Sequence, residues 1–278
     1  VSTTKAGATL TQAHRTTQAK TGALVAYAVA RLWLKTVKQD NLEETTATWM
    51  RLVRALILQQ RKKSIQTTRV YYPAFRKLEL PGEPMFEMPK IEDIDDEQIF
   101  TALRVTGPIA YQKAAKRVNE LKERGTPMSD EVADALLKEA FESAAKTSAA
   151  SAMRLTLEGG REQMKEAAKT DRRALGWARV TAADPCYFCA MLASRGFDYG
   201  KDAFKASDAL FVGEGKAKVH DGCRCTMEPS FSTDSELPAH SAEWESLWAS
   251  STGDVYGREK FRKFRAAFEG REYKRRRR

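Results

Sequence analysis

Cys186-Tyr187-Phe188-Cys189 and His220-Asp221-Gly222-Cys223-Arg224-Cys225 are the two stretches that decide how this chain is organised. They hold all 4 cysteines of a 278-residue chain within one short region. A Cys-x-x-Cys turn brings two sulfurs to one point, and tetrahedral zinc takes soft thiolates and imidazoles. The second stretch adds an imidazole and two further thiols. Cys186, Cys189 and His220 are therefore the expected ligands, with Cys223 or Cys225 as the fourth; these two alternate along an expected strand, and spacing does not separate them. Three metal-free readings compete. A disulfide needs an oxidising setting, a redox pair wants a surrounding βαβ pattern, and buried thiols also serve as small hydrophobes. Five candidates converging on two short stretches make structural zinc the expected cofactor.

The same residues speak against catalysis. A zinc deaminase needs His-x-Glu, but His14, His220 and His240 are followed two positions on by Thr16, Gly222 and Ala242. No His-Glu-x-x-His helix is present, and a site filled by four protein ligands leaves no position for an activated water. The expectation is a closed structural clip and no enzyme.

Outward from this module, the chain reads as mainly α. Val25, Val29, Leu32 and Trp33 recur at helical spacing up to Asp40, and Trp49, Leu52, Val53, Leu56 and Ile57 do so after it. A short connection makes the two an antiparallel hairpin, with Trp33 and Trp49 better read as core than as contact residues. Pro73, Pro81, Pro84 and Pro89 mark Tyr71 to Pro89 as an extended connector. Asp95 or Asp96 starts the next helix, and Gly107-Pro108 interrupts it. Ser129 caps an Ala-rich helix whose small residues suit close packing, and Glu158-Gly159-Gly160-Arg161 reads as its end, before a last short helix from Met164 to Lys169. Trp177 to Thr181 and Val219 to Met227 alternate as strands. Two amphipathic segments follow, one with Trp244, Leu247 and Trp248, the other with Phe261, Phe264 and Phe268. The expected division is 1–90 (helical hairpin and Pro-rich connector), 91–175 (Ala-rich helices), 176–232 (α+β Cys/His module) and 233–278 (linker, amphipathic helices, basic tail).

The longest apolar run, Ala23 to Ala30, is far short of the roughly 20 residues that cross a bilayer. With no signal-peptide pattern, no membrane partner and synthesis in a reducing cytoplasm are expected. The net charge of +10 is uneven. Cations dominate from Lys5 to Lys77, acids from Glu79 to Glu97, and cations again from Arg271 to the end. Arg61, Lys62 and Lys63, together with Lys274, Arg275, Arg276, Arg277 and Arg278, are the candidate contacts to nucleic acid.

Cys186-Tyr-Phe-Cys189-Ala-Met-Leu-Ala-Ser-Arg-Gly196 and His220-Asp-Gly-Cys223-Arg-Cys225, preceded by Gly159-Gly160-Arg161 and Trp177-Ala178-Arg179-Val180, resemble the Mu F-like minor head proteins of tailed bacteriophages. The likeness is closest to versions in phages of actinobacteria and runs from about Gly159 to Phe231. It implies a virion structural protein made in the host bacterial cytoplasm and placed in the capsid interior or at the portal vertex. Its partners would be the portal protein or major capsid protein and packaged double-stranded DNA, with copies arranged by portal or capsid symmetry, and its work would be head assembly and DNA packaging or release. The competing expectation is a zinc-dependent nucleic-acid-binding protein or nuclease acting in packaging, with Asp184, Asp198, Asp221 and Glu214 among the acids near the module.

Overall fold

The computed structural model describes residues 3–182, 184–196, 219–235, 237–238 and 240–272. Five long or medium helices come first: α1 (Lys5–Thr36), α2 (Leu42–Glu79), α3 (Asp96–Thr106), α4 (Pro108–Glu123) and α5 (Asp130–Thr170). A small α+β unit follows, with β1 (Gly176–Val180), α6 (Tyr187–Ala193) and β2 (Thr226–Ser230), and then α7 (Ser241–Thr252) and α8 (Arg258–Phe268). The fold is mainly helical with a two-stranded sheet among the described residues, as the periodicities predict.

α1, α2 and α5 pack mutually as a three-helix core, and α3 and α4 lie against α5. At the hairpin end, Trp33 and Trp49 meet edge to face at 5.0 Å and are fully buried with Val29, Val53 and Ile57. Each such side chain contributes about 1.5–3 kcal/mol on leaving water. Both tryptophans are thus core. Ends are set locally: Thr4, Asp95 and Ser129 accept backbone N–H groups of the first turns of α1, α3 and α5, which removes unpaired donors.

Two expectations fail for informative reasons. The connector was expected from Tyr71, yet α2 runs through Pro73 to Glu79. An internal proline costs about 3 kcal/mol or more. Here Tyr71, Tyr72 and Phe75, all buried around it, hold the helix: Tyr71 OH lies 2.7 Å from Thr11 Oγ1, Tyr72 OH donates to Asp171, and Phe75 packs on Phe231. A break was expected at Glu158-Gly159-Gly160-Arg161, and a separate helix from Met164; α5 is instead one helix through both, about 60 Å long.

The glycine pair marks close approach of helices. A Cβ on Gly159 would lie 2.6 Å from Arg61 Cγ, and one on Gly160 would lie 2.6 Å from Ser64 Oγ and 2.7 Å from Gln18 Nε2. Without side chains at these points, Gly160 N–H donates to Ser64 Oγ at 3.2 Å. Ser64 in turn donates to Gln18 Oε1 at 2.8 Å, and Gln18 Nε2 donates to the Ser64 carbonyl and Thr68 Oγ1. His14, stacked on Tyr71 and 3.2 Å from Thr68 Oγ1, extends this seam. Burial drives its imidazole down to about 4, so it sits neutral in the seam.

The sheet is antiparallel, with Trp177 opposite Pro229 and Val180 opposite Thr226. β2 begins later than the expected Val219, because the backbone from His220 to Cys225 turns and bonds to α5 rather than to a strand. α7 and α8 form as the two amphipathic segments predict. Their Trp248, Phe261, Phe264 and Phe268 close over Phe188, Met191 and Leu192 of α6.

Gly160→Ala gains about 1 kcal/mol of helix propensity but drives a methyl into three bonded polar side chains, so a net loss of about 2 kcal/mol is expected. Gly82→Ala, where nothing lies within 4 Å, is the control. Denaturant melts should show the first variant clearly less stable and the second near wild type.

Candidate metal centre

The connected end of the β1–β2 hairpin, where Val180 faces Thr226, gathers the cysteines. Past Val180 the chain enters α6 with Cys186 as its N-cap, so Cys189 stands one turn in, and its N–H donates to Cys186 Sγ at 3.4 Å. On the other arm, Cys225 immediately precedes β2, and His220 to Cys223 form a turn closed by Cys223 N–H to the His220 carbonyl at 3.1 Å. Gly222 has φ +82° there, a conformation costly for any residue with a Cβ.

All five expected ligands converge. Cys186, Cys189 and His220 offer ligand atoms within 4.8 Å of one another, and so do Cys189, Cys223 and Cys225. Cys186 Sγ lies 3.0 Å from His220 Nε2, and Cys189 Sγ lies 3.7 Å from His220 Nε2 and 3.6 Å from Cys223 Sγ. A tetrahedral ion with metal–sulfur bonds of about 2.3 Å and metal–nitrogen bonds of about 2.0 Å has ligand-to-ligand edges of about 3.5–3.8 Å. Two of the three separations match and the third is shorter. The donor set is soft, with Cys189, Cys223 and Cys225 buried and Cys186 and His220 half-buried, and Cys189 belongs to both triples. These residues could hold a metal ion.

The spacing motif does not disclose what holds the turn in place. Three arginines, each nearly buried, do so. Arg161 of α5 donates to the Cys223 carbonyl at 2.7 Å and to the Cys225 carbonyl at 3.0 Å. Arg154, two turns earlier on the same face, donates to Asp221 at 2.7 Å and pairs with Glu158. Gly222 N–H donates to the Ala150 carbonyl at 3.0 Å. Arg179 of β1, 2 % exposed, donates to the sulfurs of Cys189 and Cys223, each at 3.9 Å. The only sequence signal is two arginines seven apart in an otherwise Ala/Ser-rich helix, and one arginine alternating with Val180 and Ala178.

Hydrogen bonds within the cluster, more than the arginine charges, divide the thiols. Cys186 is drawn down to about 4 by its hydrogen bonds with Cys189 and His220, against desolvation. Cys223 is held well below the ordinary thiol range by its bonds with Cys189 and Cys225 and by Arg161 and Arg179. Cys189 is pushed up, first by its bond with Cys186 and then by those with Cys223 and Cys225. Cys225 is pushed up to about 12, where Cys223 and desolvation outweigh the bond with Cys189. His220 rises to about 9, chiefly through Cys186. For Arg179 desolvation acts downward and is outweighed by Cys189, Cys225 and Cys223, so it stays charged. Cys186 and Cys223 therefore carry thiolate character, whereas His220 and Cys189 would each release a proton on binding a metal ion.

The other expected site residues fare differently. Arg61 does not reach solvent: it is 4 % exposed, donates to the Leu155 carbonyl and pairs with Glu162, so α5 takes up its charge. Lys62 and Lys63 are exposed. Lys274, Arg275, Arg276, Arg277 and Arg278 lie outside the described residues, as do Asp198 and Glu214. Asp184 is exposed, and Asp221 is paired with Arg154.

Because Cys189 is shared by both triples, Cys189→Ser should abolish metal retention whichever thiol completes the set. Elemental analysis of purified protein should give near one equivalent of divalent metal for the wild type and almost none for the variant. A chelator should lower the thermal midpoint of the first only. Metal-free wild-type protein that melts at the same temperature with and without chelator would contradict the assignment.

No curated protein matches the chain. No solved structure matches it either. A family model described as VG15 protein matches residues 5–251, spanning the helical core, the Cys/His unit and most of α7. The chain belongs to the VG15 protein family, a phage-associated family.

Proposed function

We propose that this chain is a minor head protein of a tailed phage, of the Mu F-like kind, and that it works as a structural component without catalysing a reaction. The observation that carries the reading is the phage-family match over residues 5–251, taken with the Cys186–Gly196 and His220–Cys225 motifs inside it. In this reading the helical core docks on the portal or the inner capsid surface, in copies set by the symmetry there. The protein assists head assembly and the packaging or release of DNA.

The metal is zinc, held by Cys186, Cys189, His220 and Cys223. Cys223 is favoured over Cys225 as the fourth ligand because it lies 3.6 Å from Cys189 Sγ and its charge acts on His220. Four protein ligands close the coordination shell. The ion's contribution is then to tie the α6 arm to the β2 arm, a role that suits a part needing rigidity more than reactivity. A metal-dependent nuclease would need an open coordination position beside an unpaired carboxylate; Asp221, next to His220, is paired with Arg154.

Quantitative mass spectrometry of gradient-purified particles tests the reading. The chain should be retained in DNA-filled heads at a low, fixed ratio to the major capsid protein. Presence in the lysate with absence from every particle fraction would refute it.

A further inference from the structure

Lys5 to Lys77 covers nearly all of the α1–α2 hairpin, and its only carboxylates are Asp40, Glu43 and Glu44. All three sit at the connecting loop and the first turn of α2. The rest of both helices, each about 50 Å long, carries one more carboxylate, Glu79 at the end of α2, and that one accepts hydrogen bonds from Thr3 and Thr4 at the start of α1. Neutralisation from other elements reaches only one flank of α2. Arg54 pairs with Asp96, Arg61 with Glu162, and Arg76 with Asp171 and Glu83, while Arg69 donates to Met88 and Pro89 carbonyls of the connector. The acid-rich connector and α5 therefore cover that flank.

The other flank is left cationic. On α1, His14 and Gln18 mark the side that meets α2. Lys20, Arg31 and Lys35 lie within an arc of about 60° on the outer side and are exposed. On α2, Lys63 and Lys77 lie within about 40° of each other and are exposed as well. The pairing of Gln18 with Ser64 places Lys20 and Lys63 at the same level of the hairpin. No ion pair joins these five to a described carboxylate. Tyr27, 64 % exposed, lies under the Arg31 guanidinium at 5.6 Å and holds it extended over the face.

We infer that the outer face of the α1–α2 hairpin is a binding surface for the backbone of double-stranded DNA. A row of cations about 45 Å long, free of carboxylates, matches the repeating phosphates of more than one helical turn. It contains no base-reading geometry, so the contact is independent of sequence. This deepens the proposed function, since packaged DNA is the polyanion a head component meets. It also moves the contact from Arg61, which is buried, to Lys20, Arg31, Lys35, Lys63 and Lys77.

The test is binding of the full chain to a duplex of mixed sequence of about 30 base pairs, by anisotropy across a salt series. Lys20→Glu/Arg31→Glu/Lys63→Glu should bind at least about tenfold more weakly, with the slope of log affinity against log salt reduced by about 2 to 3. Lys113→Glu/Arg117→Glu/Lys138→Glu removes equal charge from α4 and α5 and should change affinity far less. The glutamine version of the first triple supplies the same slope change if the glutamate version does not fold. Equal effects from the two triples would overturn the proposal. So would binding that vanishes on removing Lys274 to Arg278 and is insensitive to the face. A face variant that binds DNA normally yet is lost from particles would assign the face to an acidic protein surface instead, and would also overturn it. Absence of the wild-type chain from particles, with face-dependent DNA binding intact, would refute the head-protein reading alone.

Discussion

The close approach of α5 to α2 at Gly159 and Gly160 is the constraint on which the rest of the molecule depends. A helix spanning 41 residues has many ways to lie in a groove, and the glycine pair selects one rotation and one height. Only with bare backbone at these points can Ser64, Gln18 and Thr68 satisfy one another in the dry interior. A buried hydroxyl or amide left without a partner costs about 1–3 kcal/mol. Once α5 is seated this way, Arg161, the next residue, points to the opposite side, at the Cys223 and Cys225 carbonyls. Arg154, seven positions back, points there too.

The Cys/His unit is thereby docked on the helical core. Its second arm hangs on α5 through Arg154, Arg161 and the Ala150 carbonyl, while its first arm is held from outside by α7 and α8 packing on α6. A metal ion bridging the arms would join two elements that the surrounding helices also hold, and Arg179 would offset the negative charge that three thiolates give such a complex. The same division explains the charge pattern. Cations that face α5 or the connector are paired with carboxylates or carbonyls, and Lys20, Arg31, Lys35, Lys63 and Lys77 on the outer hairpin face have no carboxylate partner among the described residues.

Much of this was legible in the residues. Helical periodicity placed the hairpin and Trp33 against Trp49; Ser129 and Asp95 marked helix starts; the two cysteine stretches named all five residues that converge. What was misread has a common physical origin. Gly159-Gly160 and Pro73 are local helix breakers whose meaning depends on a neighbour, and tertiary packing overrode propensity at both. Arg61 looked like the head of a surface cluster because sequence adjacency to Lys62 and Lys63 conceals that it occupies the inner side of α2. Arg161 and Arg179 stand in segments that carry the family resemblance, but their part in holding the turn, like that of Arg154, follows from what each arginine faces, which spacing along one chain does not record.

In the proposed function, Cys186, Cys189, His220 and Cys223 form a closed metal clip. X-ray absorption at the metal edge of the native protein tests it most directly. A closed clip gives zinc with a shell of three sulfurs at about 2.3 Å and one nitrogen at about 2.0 Å, and no water ligand. A shell dominated by oxygen, or one with an open position filled by water, would contradict it.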